Sequence, residues 1–257
     1  SFLPFYRLLS KSKVVVNTDG LEHSRQTWGK LTRRYLKWAE KIAVYNSDLI
    51  IADNKAIQQY ILREYGKKSA LVTYGGDQVL VPVSDPDISS VLSKYNLSKG
   101  DYAVAVCRIE PENNCHIILE AFKLTRKNIV FVGNWHRSDY ARNLKAQYAN
   151  EPNITLLDSI YDLKELFVLR SNANCYLHGH SAGGTNPSLV EAMFFDVPII
   201  AFDVVYNRET TFETANYFSD VNDLVRMLNE ELKINSPRLA WENYTWNKIR
   251  KDYLNRL

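Results

Sequence analysis

Two loops carry residue types whose spacing suits chemistry. The first is GHSAGGTNPSLVEAM, residues 179–193. Asn186 is a good helix N-cap and Pro187 a good first helical residue, so the spacing predicts a helix from about 187. Gly183, Gly184 and Thr185 then bring backbone N–H groups to the positive end of that helix, an arrangement that favours an anion, typically a phosphate. Glu191 lies four residues after Pro187 on the same helical face, within reach of a vicinal diol such as a ribose beside that cradle. The local sequence equally fits a Gly-Gly turn opening a helix whose Glu191 is solvated. The second loop is CRIEPENN, residues 107–114. An arginine at a strand end, here Arg108, can clamp a diphosphate bidentately, or can pair with Glu110 or Glu112 on the surface.

Other candidates carry less chemistry. Asp85-Pro86-Asp87 has the spacing of a DxD metal motif but contains a proline among turn formers, and reads as linker. His178 and His180 have no third ligand beside them in sequence, so no metal site is expected. GxSxG, Walker A and GxGxxG motifs are absent, which removes support for nucleophilic hydrolases, P-loop enzymes and standard dehydrogenases. On a helix from about Thr27, Leu31, Tyr35, Trp38, Ala39 and Ile42 form an apolar stripe expected to face the core. Lys30, Arg33, Arg34, Lys37 and Lys41 form a basic stripe within about 80° of arc. The stripe is either a solvated face or a dock for anionic lipid headgroups or a lipid-linked diphosphate.

The elements that must position these residues alternate regularly. Apolar runs at 14–17, 49–53, 70–74, 102–107, 129–133, 154–157, 173–179 and 198–202 read as parallel strands covered on both faces. Helical patterns fall between them, at about 27–46, 54–65, 114–124, 138–149, 162–171, 187–195 and 220–234. That alternation means doubly wound α/β sheets. It is interrupted between Gly75 and about Ser93, where turn formers cluster, so a domain boundary is placed there. The front part offers three strands, the second part five and a complete Rossmann-like unit. The expected organisation is a front domain over 1–80, a second domain over 81–235, and a helical tail over 236–257 that can cross back.

Composition bounds the rest. The chain has 257 residues, 46% hydrophobic and 24% charged, an ordinary globular balance. Its net charge of +3 argues for no nucleic-acid partner. The charge is uneven, since residues 1–80 hold 13 basic and 7 acidic side chains. Three cysteines without a CxxC pair fit a reducing compartment. No apolar run approaches the roughly 18 to 20 residues that span a bilayer. The start, SFLPFYRLLSKSK, lacks a Met and the order of a signal peptide, and reads as an excised fragment.

Together the two loops resemble the family 4 glycosyltransferases of the GT-B fold, specifically the bacterial branch that includes rhamnosyltransferases. CRIEPENN is similar to that family's strand-end Arg stretch, with Arg108 in the diphosphate-binding position. Glu191 fits the second of the family's two glutamates, the one that contacts the ribose. The first glutamate's position holds Gly183, and the usual basic residue after Pro-Glu is Asn113. NTDGLEHSRQTWGK from Asn17, GGTNPSLVEAM and DVVYNRETT from Asp203 look like the branch. The resemblance runs over essentially the whole chain and implies that the start of an acceptor domain lies upstream of Ser1, leaving the front sheet incomplete.

The resemblance implies a retaining transfer, without metal or cofactor, of rhamnose or a hexose from a nucleoside diphosphate. The acceptor would be a saccharide or a lipid-linked molecule, and the setting the cytoplasm, at the inner face of the membrane. Nucleotide-sugar contacts fall on Arg108, Asn113, Tyr161, His180, Gly183, Gly184, Thr185, Asn186 and Glu191. Asp19 and Glu22, from the front domain, are candidates for acceptor contact or proton handling beside Arg108. A nucleotide-sugar epimerase and a non-catalytic nucleotide-sugar binding module remain open alternatives.

Overall fold

Apolar four-residue segments pair in parallel into two sheets. The computed structural model describes residues 2–18, 20–24 and 28–256. Strands β1 (Val15–Thr18), β2 (Leu49–Ala52) and β3 (Ala70–Leu71) form a three-stranded sheet in that order. Strands β4 (Ala103–Val106), β5 (Ile129–Val132), β6 (Ile154–Leu157), β7 (Cys175–His178), β8 (Ile199–Phe202) and β9 (Asn216–Phe218) form a six-stranded sheet ordered β6-β5-β4-β7-β8-β9. Val104 stands opposite Val130 on one side and Tyr176 on the other. Alternate residues of a strand face opposite ways. Ala103 and Ala105 therefore enter a core with Phe122, Phe131 and Trp135, while Tyr102 and Val104 enter another with Leu169, Leu189 and Phe194.

Helices cover these faces. The first sheet is accompanied by α1 (Leu3–Leu9), α2 (Lys30–Tyr45) and α3 (Lys55–Tyr65). The second carries α4 (Asp85–Lys94), α5 (Cys115–Thr125), α6 (Asp139–Tyr148), α7 (Leu163–Ser171), α8 (Pro187–Ala192), α9 (Val205–Thr210) and α10 (Val221–Leu228). The chain closes with α11 (Pro237–Asn243) and α12 (Trp246–Leu254). Side chains start several of them: Asn54 accepts from the Ala56 amide at 2.9 Å and Asp162 from that of Glu165 at 2.9 Å. Ala240 and Tyr244 pack in the core of the second sheet, whereas Ile249 packs on Ile51 and Val72 of the first. The chain thus returns to the front sheet between α11 and α12.

Four expectations are corrected. Asp85-Pro86-Asp87 is not linker but the first turn of α4, because Ser84 and Asp87 form a reciprocal capping box and proline suits that turn. The second sheet has a sixth strand, β9, too short to give a periodic signal. On α2, Leu31, Tyr35 and Trp38 are exposed, and Val44 is the buried residue of that helix. The basic stripe is also broken. Lys37 donates to Tyr60, pairs with Glu64 at 3.0 Å and lies 4.6 Å from the Tyr60 ring centre, turned toward α3.

Candidate active site

Strand order reverses between β4 and β7, and in an open α/β sheet ligands bind beyond the strand ends at that point. The two loops singled out in the sequence leave these neighbouring strands, which is why residues some 80 apart meet. They are stitched together. Asn114 Nδ2 donates to the Gly179 carbonyl at 2.8 Å, and the Ser181 amide donates to the Glu112 carbonyl at 2.8 Å.

Between these loops and the β5 and β6 ends lies a cleft of about 670 Å³, lined among others by Arg108, Asn113, Arg137, Tyr161, Arg170, Asn186, Ser188 and Glu191. Its size falls in the range of small-ligand sites. Arg108 is half-exposed and its Nε stands 3.7 Å from Glu110 Oε2, so the surface pairing exists but is loose and leaves the guanidinium at the cleft. Asn113 is buried: its Nδ2 donates to the Arg108 carbonyl at 2.6 Å, and its Oδ1 meets His180 Nδ1 at 2.6 Å. Asn186 caps α8 by accepting from the Ser188 amide at 3.0 Å. Tyr161 is exposed at the rim, in the loop that follows β6.

Glu191 is not solvated. Its Oε2 accepts from Arg170 Nη2 at 2.6 Å and its Oε1 from Gln78 Nε2 at 2.9 Å. Arg170 is 2% exposed, and it answers the carboxylate with a full positive charge from beneath. Sequence reasoning missed both partners and Arg137. Arg170 reads as an ordinary cation in the last turn of a helix, and Gln78 sits in the connector.

The glycine loop does something other than the sequence suggests. The Thr185 amide, expected to be open to an anion, donates to Asp53 Oδ2 at 2.9 Å, and the Thr185 hydroxyl donates to the Asp53 carbonyl at 2.6 Å. Gly184 has φ +88°, and a Cβ there would stand 2.7 Å from Asp53 Oδ2. Gly183 packs on Leu21. This loop docks the six-stranded sheet's side of the chain onto Asp53, which follows β2 of the three-stranded sheet, and Asn186 rather than Gly183, Gly184 or Thr185 reaches the cleft lining.

His178 and His180 are buried behind the cleft and are not among its lining residues. Burial, with a smaller contribution from His180, holds the His178 imidazole well below its ordinary pKa, so it is neutral. Glu22 lies half-buried on a 3₁₀ turn, Glu22–Ser24, beside Leu21. Asp19 lies outside the described residues. Among the described residues no cluster of three His, Cys, Asp or Glu side chains is placed to hold a metal, and no helix is long and apolar enough to cross a membrane.

Known proteins carry this architecture. Residues 91–246 match the family described as Glycosyl transferases group 1, and residues 5–77 match a domain of unknown function (DUF1972). No curated protein matches the chain. Among solved structures, Anabaena Alr3699/HepE, in complex with UDP, superposes with a TM-score of 0.77 at 16% identity, over 98% of this chain and 73% of that one. A sucrose-phosphate synthase from Thermosynechococcus elongatus gives 0.78 at 20% identity, over 98% and 69%. A UDP-forming α,α-trehalose-phosphate synthase from Burkholderia xenovorans gives 0.70 at 13%, over 99% and 71%. The family match covers more than half of the chain, which therefore belongs to the glycosyl transferases of group 1, enzymes of the GT-B fold.

Proposed function

We propose that this chain transfers a sugar, rhamnose or a hexose, from a nucleoside diphosphate to a saccharide or lipid-linked acceptor, with retention of configuration. The observation that carries the reading is the convergence of Arg108 and Glu191 on one cleft at the strand-order reversal. Arg108, with Arg137 in the same cleft lining, faces the diphosphate and neutralises the charge that develops as the sugar leaves, a stabilisation realised most strongly in the transition state. With that charge met by arginines, the transfer is read as metal-independent. Glu191, held by Arg170 and Gln78, accepts from the ribose hydroxyls, and Tyr161 at the rim contacts the base. Glu22 and, outside the described residues, Asp19 are proposed for acceptor contact or proton handling. UDP bound to Alr3699/HepE and the UDP-forming activity of the Burkholderia enzyme support a nucleotide-sugar donor.

The acceptor is read as presented at an anionic membrane surface, on the cytoplasmic side. Exposed Leu31, Tyr35 and Trp38 share α2 with exposed Lys30, Arg34 and Lys41, the composition of a helix that lies at a lipid interface. The experiment that tests the function is product analysis with radiolabelled nucleotide sugars, with and without saccharide acceptors. Label moving to an acceptor supports the reading, sugar interconversion without acceptor supports an epimerase, and binding without either product supports a non-catalytic module.

A further inference from the structure

The connector between the two sheets meets the return of the C-terminal helices, and the two are bonded to each other. The Gly76 amide donates to the Tyr244 carbonyl at 2.8 Å, and the Trp246 amide donates to Asp77 Oδ1 at 2.7 Å. The Trp246 ring lies directly on Gly75, where a Cβ would stand 2.5 Å from ring carbon Cδ2. From this knot one side chain reaches the cleft. Trp246 Nε1 donates to Gln78 Oε1 at 2.6 Å, and Gln78 Nε2 donates to Glu191 Oε1 at 2.9 Å.

The chemistry of the relay fixes its direction. An indole N–H only donates and an ionised carboxylate only accepts, so the Gln78 amide must turn its oxygen to Trp246 and its NH₂ to Glu191. Two groups then hold the carboxylate: Arg170 at Oε2 from the second domain's core, and Gln78 at Oε1 from the connector. Trp246 begins α12, whose Ile249 is seated on Ile51 and Val72 of the front sheet.

We propose that Gln78 is a positioning residue for Glu191, set by Trp246, so that the grip on the donor's ribose depends on the seating of the C-terminal helix across the two sheets. The proposal rests on the reading that Glu191 binds the ribose diol. Gln78 is not itself among the residues that line the cleft, and it meets the cleft only through Glu191. It limits the rotamers of Glu191 and so lowers the ordering cost of binding.

The test is calorimetric titration with UDP and with 2′,3′-dideoxy-UDP, which lacks the diol. Gln78→Met keeps length without hydrogen bonds, and Trp246→Phe keeps a ring without the N–H. Losing one such bond corresponds to about threefold to tenfold in affinity. Gln78→Met is expected to bind UDP weaker by that factor, Trp246→Phe in the same direction, and both to bind the dideoxy analogue as wild type does. In a Glu191→Gln background, Gln78→Met should cost nothing further. Wild-type affinity of Gln78→Met for UDP, with Glu191→Gln weakened, overturns the positioning role and leaves the ribose reading standing. An equal loss for both nucleotides makes Gln78 merely structural. UDP binding that is absent, or indifferent to Glu191→Gln, removes the ribose reading and this inference with it.

Discussion

Arg170 Nη2 stands 2.6 Å from Glu191 Oε2, with the arginine side chain 2% exposed and the glutamate 20%. A cation buried against a carboxylate in a cleft wall gives the acidic group one orientation through a short charge-assisted hydrogen bond. Removing one partner strands a charge, a loss of about 3 kcal/mol or more, whereas replacing both by apolar groups is far milder. Arg170→Met and Glu191→Met should each lower stability in urea denaturation. The double variant should lose clearly less than the two losses added together. Additivity within about 0.5 kcal/mol would mean that the two side chains do not interact.

The docking of the glycine loop makes a second expectation. Asp53→Ala leaves the buried Thr185 amide without its acceptor, and should cost about 1 to 3 kcal/mol. Gly184→Ala meets both the positive φ and the Asp53 carboxylate, so it should cost a comparable amount, read as a lowered midpoint in thermal unfolding. A wild-type midpoint for Gly184→Ala would show that the loop relaxes away from Asp53.

The fold was legible where burial is two-sided. Runs such as Ile129–Val132 are apolar throughout, and all four side chains are buried. The site was legible where a loop carries its own turn and cap, as Asn186 and Pro187 do. It was illegible where a residue's role depends on a partner distant in sequence. Arg170 needs Glu191, Gln78 needs Trp246, and Thr185 spends its amide on Asp53. The amphipathic pattern of α2 misled for a related reason. Periodicity marks an apolar face but does not say what that face meets, and Leu31, Tyr35 and Trp38 meet no other part of the described chain closely enough to be buried.

His178 gives stability a pH dependence. Its folded pKa is depressed by burial, while the unfolded imidazole titrates near 6.5. Above that value both states are neutral and the residue contributes no slope. As pH falls below it, the unfolded state takes up a proton that the folded state refuses, so stability drops by about 1.4 kcal/mol per pH unit until the folded pKa is reached. Urea midpoints of wild type should therefore fall between pH 7 and 5.5. Those of His178→Phe should fall less. Parallel curves would show that other groups set the slope.

The exposed face of α2 should bind anionic vesicles in a salt-sensitive way. Exposed charges are screened over about 10 Å at 0.1 M salt, and interfacial aromatic rings add an apolar anchor. Replacing Lys30, Arg34 and Lys41 by Glu should abolish sedimentation with phosphatidylserine vesicles, and Trp38→Ser should weaken it at every salt concentration. Equal sedimentation of wild type and the charge-reversed variant would reduce the face to a solvated surface.

Whether Arg108 faces a diphosphate is the question on which the cleft's function turns. Titrating UDP, GDP and dTDP into wild type and Arg108→Ala by calorimetry measures this without requiring an acceptor. At least one nucleotide should bind wild type, and Arg108→Ala should weaken that binding by about 1.5 to 3 kcal/mol, the range for a lost charge-assisted contact. An Arg108→Ala affinity equal to that of wild type, or no binding of any nucleotide diphosphate, would contradict the assignment of the cleft.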